Sequence, residues 1–224
     1  MTAISDADES ARPLPGLVLA GGAGRRMMGS GKAFSHLHGR ALVQHMLDRL
    51  GPQVGPLVVS ASADDPRFLR LGVPLVEDAV PGRLGPLSGI AAGLAWAAGL
   101  GAADLVVVPV DAPLLPPDFV ARLVAARGRV GPAPVLVARS PGGMQPVAGL
   151  WPTALAPALV RFLAESDSRA IRAFLDGRDV ESVDIPADRA TGLDPFRPLN
   201  TPEDLATLAA ALSGPDGASS PRGQ

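Results

Sequence analysis

Short apolar runs alternate with stretches of helical spacing along most of this chain. Gly16-Leu-Val-Leu-Ala20 reads as a buried strand that breaks into glycines. From Ala41 to Leu50, apolar residues at Leu42, Val43, Met46, Leu47 and Leu50 follow a helical period. Pro56 to Ala61 and Val73 to Glu77 are further strand candidates, and Leu87 to Leu100 is a helix of small apolar residues that predicts burial on most sides. Asp104-Leu-Val-Val-Val-Pro-Val110 is the clearest strand, followed at once by Asp111. A helix is expected from Pro116, with proline in its first turn. Strands follow at Val135 to Ala138 and Gln145 to Leu150, then helices at Pro152 to Ala164 and Ser168 to Leu175, and a strand near Val180 to Ile185. Thr201 is placed to cap a last helix that Pro202 opens.

Alternation of this kind predicts an α/β fold, a three-layer Rossmann-like arrangement of a mostly parallel sheet with helices on both faces. In such sheets ligands bind beyond the carboxyl ends of the strands. The loop after Ala20 and the residue Asp111 both fall there, so one crevice is expected to hold both. With 47% apolar and 19% charged residues, 224 residues suffice for one large domain. That domain is expected over 15–212, between disordered tails at 1–14 and 213–224, which lack apolar residues to offset ordering entropy.

Charge and composition remove several classes. A formal charge of -2 argues against a broad basic surface for nucleic acid. No cysteine means no disulfide framework or thiolate metal site. Neither a signal peptide nor a membrane-spanning stretch is evident, so a cytoplasmic protein is expected, and nothing calls for more than a monomer.

Of the 20 basic residues a single one is lysine, and it closes the glycine-rich segment Leu19-Ala-Gly-Gly-Ala-Gly-Arg-Arg-Met-Met-Gly-Ser-Gly-Lys32. Glycines at 21, 22, 24, 29 and 31 allow backbone N–H groups to turn toward an anion. A compact ammonium and a planar guanidinium are not interchangeable at a phosphate. Two common phosphate motifs fail here. The P-loop spacing puts Arg26 at its first glycine and Ala33 after the lysine, and the dinucleotide fingerprint started at Gly22 meets Met27 at its third glycine.

A different pattern fits. Leu19-Ala-Gly-Gly-x-x-x-Arg26-Met27, then Lys32 and Gly39-Arg-x-Leu, resembles the signature loop of nucleotidyltransferases that activate small molecules with an NTP. Glu77-Asp78, Gly85-Pro-Leu-Ser-Gly-Ile, Asp111-Ala-Pro-Leu-Leu-Pro-Pro-Asp, Gln145-Pro-Val-Ala-Gly-Leu-Trp-Pro152 and Leu199-Asn200-Thr-Pro-Glu-Asp-Leu follow in order. Together, from about Leu17 to Leu208, they resemble the MobA-type molybdenum cofactor guanylyltransferase family.

The resemblance implies transfer of GMP from Mg-GTP to the terminal phosphate of molybdenum-molybdopterin, with pyrophosphate leaving. A phosphomonoester is largely dianionic at neutral pH, so alignment and charge neutralisation matter more than a general base. The resemblance assigns Lys32 and Arg26 to the triphosphate, with Arg25 as the alternative arginine. It assigns Leu19, Ala20, Gly21 and Gly22 to close backbone contact with the nucleotide and Asp78 to a nucleotide contact or, failing that, a turn. Asp111 is a Mg²⁺ ligand or a helix-region cap. Gln145 is expected at a pterin edge, and Asn200 at metal or pterin or in a cap. Molybdenum-insertion or molybdoenzyme-maturation proteins are the expected partners.

Trp151 is expected in the core, and His36, His38 and His45 at the surface without a metal. The chain departs from the family pattern at Met28, Gly31, Ser62 and Pro198. Those departures leave two other readings: a CTP- or NTP-dependent transferase with another acceptor, or a non-catalytic nucleotide-binding relative.

Overall fold

The computed structural model describes residues 13–21, 31–78 and 85–213. Strand β1 (Gly16–Leu19) is an interior strand of a seven-stranded sheet with β4 (Leu57–Ser60), β5 (Leu75–Val76), β6 (Asp104–Pro109), β7 (Val135–Ser140), β8 (Gly143–Pro152) and β9 (Val180–Asp184), in the order β5-β4-β1-β6-β8-β7-β9. Every pairing in it is parallel except the two made by β8, which runs against β6 and β7. A short hairpin, β2 (His36–Leu37) with β3 (Arg40–Ala41), stands apart from this sheet. The α/β, mostly parallel architecture agrees with the hydropathy pattern.

Both faces of the sheet are covered. Alternate residues of β1 go to opposite cores: Val18 joins Val43, Met46 and Leu50 of α1 (Leu42–Leu50), while Leu17 and Leu19 join Ile90, Leu94 and Ala97 of α3 (Pro86–Gly99). Such alternation is the period of two that a strand imposes. Helix α3 lies unusually close to the sheet. A Cβ at Gly93 would meet Leu17 Cδ2 at 2.5 Å, and one at Gly89 would meet Ser60 Oγ at 2.4 Å. Trp151 is fully buried and stacks on Phe174 of α6 (Ile171–Leu175), as expected of a core residue.

Two expectations need correction. Pro116 and Pro117 precede α4, which runs Phe119–Val130, because the chain turns at Ala112–Leu115 before the helix begins. The segment from Pro152 divides into a 3-10 turn at Thr153–Leu155 and α5 (Ala156–Glu165), where Pro157 lies in the first turn. Helix α2 (Pro66–Leu69) had no distinct periodicity in the sequence. The tails read as disordered fall almost wholly outside the described residues, but Leu14 packs on the core and its carbonyl accepts from the Gly55 amide at 2.9 Å.

Candidate active site

Chain order reverses direction at β1: β4 and β5 lie on one side of it, β6 on the other. This is the switch point where doubly wound sheets open a crevice beyond their carboxyl ends. Gly21 follows β1 there, and Asp111 follows β6. The Val110 amide donates to the Leu19 carbonyl at 3.0 Å, so the two exits are tied at their roots. Across the β4 side, the Ala20 and Gly21 amides both donate to Ser60 O, at 3.0 and 2.8 Å. Arg26 and Gly22 lie outside the described residues.

Lys32 begins a 3-10 turn, Lys32–Phe34, entered through Gly31 at φ 72°, a left-handed conformation that suits glycine. Phe34 anchors that turn, edge-on to Phe68 at 4.8 Å and beneath the Arg67 guanidinium, whose carbon is 4.2 Å from the ring centre. From this turn Lys32 Nζ donates to Asp111 Oδ2 and, at 2.9 Å, to Asn200 Oδ1. Lysine can only donate, so the amide of Asn200 presents its oxygen. The two partners of the pair, ammonium and carboxylate, are each about a quarter exposed.

Residues so far apart in sequence meet because a separate apolar cluster joins their segments. Leu37, just after the Lys32 turn, packs with Leu114, just after Asp111, and with Leu199, beside Asn200. Leu42, Leu205 and Leu208 complete it. Each fully buried leucine contributes about 1.5–3 kcal/mol, so this cluster can hold three loops against one another. Asn200 is fixed further at the entry to α7 (Pro202–Ser213). Asp204 Oδ2 accepts from the Asn200 and Thr201 amides, both at 2.8 Å, and Thr201 Oγ1 accepts from the Asp204 amide at 3.1 Å. The first two bonds hold the Asp204 carboxyl below its ordinary range. Asp204 was not singled out in the sequence, although Thr-x-x-Asp before a helix is a capping-box pattern that marks it.

Asp111 caps no helix, since α4 starts well downstream. Its carboxylate and the Asn200 amide form a pair of hard oxygen donors already converging on one cation, the ammonium. Among the described residues no group of three or more His, Cys, Asp or Glu could hold a metal. The donor set therefore suits an ion that keeps most of its ligands as water and phosphate oxygens, which is the habit of Mg²⁺.

Asp78 stands after β5, two strands out from β1. Its side chain is exposed, and partial desolvation, followed by the charge of neighbouring Glu77, moves its carboxyl above the usual range. Glu77 Oε1 accepts from the Ala63 amide at 3.0 Å, tying the exits of β4 and β5 together. Ser62 donates to Asp64 at 3.2 Å. On the opposite wing, Gln145 lies near the start of β8, paired with Ala138 of β7. With strands about 4.8 Å apart, Asp78 and Gln145 are separated by roughly 19 Å across four ladders, and Asp111 lies between them. His36 and His38 are exposed, and His45 Nε2 bonds the Leu37 carbonyl at 2.8 Å.

Fold and cleft together define an α/β protein of the doubly wound, nucleotide-binding kind. The chain belongs to the MobA-like NTP transferase domain family, whose model matches residues 16–182. A protein of Mesorhizobium japonicum named molybdenum cofactor guanylyltransferase is 41% identical over 202 residues, covering 90% of this chain and 97% of that one. Among solved structures, molybdopterin-guanine dinucleotide biosynthesis protein A from Archaeoglobus fulgidus superposes with a TM-score of 0.69 at 23% identity, over 89% of this chain and 99% of that one. Rv0371C from Mycobacterium tuberculosis, solved in complex with manganese, has a TM-score of 0.56 at 17% identity, over 89% and 99%. The last two show the shared fold.

Proposed function

We propose that this chain moves GMP from GTP to the terminal phosphate of molybdenum-molybdopterin, releasing pyrophosphate. Membership of the family and the 41% identity to a named guanylyltransferase support the reaction. The observation that carries the site is the meeting of Lys32, Asp111 and Asn200 at the switch point of the sheet. A phosphate oxygen of the acceptor forms the new P–O bond at the α-phosphorus as the bond to pyrophosphate breaks.

The roles follow from position. Leu19, Ala20 and Gly21 offer close backbone contact at the end of β1, where the chain is held by the bonds of the Ala20 and Gly21 amides to Ser60 O. Asp78, on the β5 side, takes the nucleoside end. Lys32, with Arg26 from the glycine-rich segment before it in sequence, neutralises the triphosphate. Gln145 meets the pterin on the β8 side. Asp111, helped by Asn200, would hold Mg²⁺, which when bound supplies charge neutralisation to the attacked and departing phosphates. In the free protein the ammonium occupies both oxygens. Nucleotide binding exchanges that contact for ammonium to phosphate, leaving Asp111 and Asn200 for the cation.

No general base is needed, since the attacking phosphate is already ionised. The work is alignment and charge. Pyrophosphate release is the test, with GTP or CTP, Mg²⁺, and molybdenum-molybdopterin. GTP turnover without CTP turnover is expected. Preference for CTP would move the assignment to a cytidylyltransferase, and nucleotide binding without turnover would make the chain a non-catalytic relative. We further propose a divalent requirement met by Mg²⁺, read by restoring activity after chelation.

A further inference from the structure

The hairpin joining β7 to β8 lies on the acceptor wing of the cleft, and a carboxylate closes on it from the segment that leads to Asn200. Asp194 Oδ2 accepts from Ser140 Oγ at 2.8 Å and from the Gly142 amide at 2.6 Å. Its Oδ1 accepts from the Phe196 amide at 2.8 Å. A Cβ at Gly142 would stand 2.6 Å from Oδ2, so a side chain there would displace the carboxylate. Three donors on one carboxylate fit its acceptor-only chemistry.

The polarity of the next bond is then fixed. Ser140 is buried, at 7% exposure, and its one hydroxyl proton goes to Asp194. Only lone pairs remain to face Gln145, so the group of Gln145 that lies 3.2 Å away is the NH₂. The Gly143 carbonyl, 3.4 Å from the same nitrogen, also can only accept. Side-chain amides are ordinarily assigned from their partners, and here two independent partners agree. Among the described residues nothing donates to Gln145 Oε1. The β7–β8 ladder also slips between Val137, opposite Gly149, and Ala138, opposite Gln145, so residues 146–148 bulge out beside it. Bulges of this kind re-aim side chains next to functional sites.

We infer that Asp194 and Ser140 are positioning residues that hold the Gln145 amide so that its carbonyl is the face left for a ligand. The heterocycle taken at that wing must then offer an N–H donor, as the aminopyrimidinone edge of a pterin does. This rests on the acceptor-side role proposed above for Gln145.

Two measurements test it. In the free ¹⁵N-labelled protein, the Gln145 side-chain NH₂ signals, identified by their loss in Gln145→Leu, are expected to shift in both Ser140→Ala and Asp194→Ala. Signals unmoved in both variants would overturn the inference, whatever the reaction. In turnover, Ser140→Ala is expected to raise KM for the molybdopterin acceptor about fivefold, the worth of one oriented hydrogen bond. KM for GTP and kcat at saturation stay within about twofold of the unsubstituted protein on the same reasoning, and Ser140→Thr, which keeps the hydroxyl, recovers the acceptor KM. An equal rise in both KM values would reduce the network to a structural brace. If the unsubstituted protein does not turn over at all, the transferase reading fails, and the amide signals alone decide the polarity.

Discussion

Removing the Asp111 carboxylate separates catalysis from folding, because the structure predicts opposite magnitudes for the two. The Lys32–Asp111 pair is about a quarter exposed on each side, and partly hydrated ion pairs of this kind contribute about 1 kcal/mol or less. Lys32 keeps its bond to Asn200 at 2.9 Å, so Asp111→Ala does not strand the ammonium. A loss of about 1 kcal/mol lowers Tm by about 2–4 °C in a chain of this size. Activity should respond differently, since in the proposed function Asp111 is the carboxylate that would hold the divalent ion. A fall on the order of 10³ in kcat, about 4 kcal/mol of transition-state stabilisation, is expected. Thermal melting and pyrophosphate release on the same preparation decide the matter. Near-normal turnover would remove Asp111 from the mechanism. A fall in Tm beyond roughly 8 °C, which is over about 2 kcal/mol on the same scale, would mean that its role is structural.

Other perturbations read the framework. Gly149→Ala would place a Cβ 1.9 Å from the Leu136 carbonyl oxygen, a clash with backbone that cannot rotate away; a loss of more than about 3 kcal/mol or failure to fold is expected by denaturant titration. Arg127→Ala breaks the pair with Asp104 at 2.7 Å, whose side chains are 14% and 11% exposed, and should cost about 3 kcal/mol. Burial already raises the Asp104 carboxyl despite Arg127. Without that arginine the carboxyl rises further, so the loss relative to the unsubstituted protein grows as pH rises above the already raised value that Asp104 has beside Arg127. Asp204→Ala frees the Asn200 and Thr201 amides. It should lower both Tm and turnover, and abolish the part of stability that is present above the ordinary Asp range and lost as pH falls through the depressed value of Asp204.

Much of this molecule was legible in the sequence because local period and global fold agree. The run Asp104 to Pro109 could only be a buried strand, and its position next to Asp111 placed a carboxylate beyond the carboxyl end of that strand. What the sequence withheld was lateral: which loops touch. Nothing in the spacing says that Leu37, Leu114 and Leu199 pack together, yet that contact brings Lys32, Asp111 and Asn200 to one point. Proline misled near residue 116, because the two prolines belong to the approach and the helix waits for Phe119. Asp194 was invisible for a similar reason. Its partners Ser140 and Gly142 stand more than fifty residues away, and a lone aspartate before a proline reads as a turn.

The Lys32 ammonium already sits on the oxygens proposed for the divalent ion, and on that proposal it sets the order in which the metal would arrive. Lys32 Nζ is bonded to both Asp111 and Asn200 oxygens, the two donors assigned to the divalent ion. Were ammonium and a divalent ion to share them about 4 Å apart, repulsion at an effective dielectric of 20 would be roughly 8 kcal/mol, an upper bound for a site open to solvent. Phosphate removes that obstacle by drawing the ammonium to itself and adding oxygens of its own. The metal should therefore enter with the nucleotide and not ahead of it. Titration of the free protein with Mn²⁺, followed by electron paramagnetic resonance, is expected to show weak binding, with affinity rising when GTP is added. Lys32→Met, which keeps the stem and removes the charge, should strengthen binding to the free protein at least about tenfold, a shift of about 1.4 kcal/mol, while turnover falls. Tight binding of Mn²⁺ to the unsubstituted protein without nucleotide, or no gain in Lys32→Met, would show that the ammonium does not guard those oxygens.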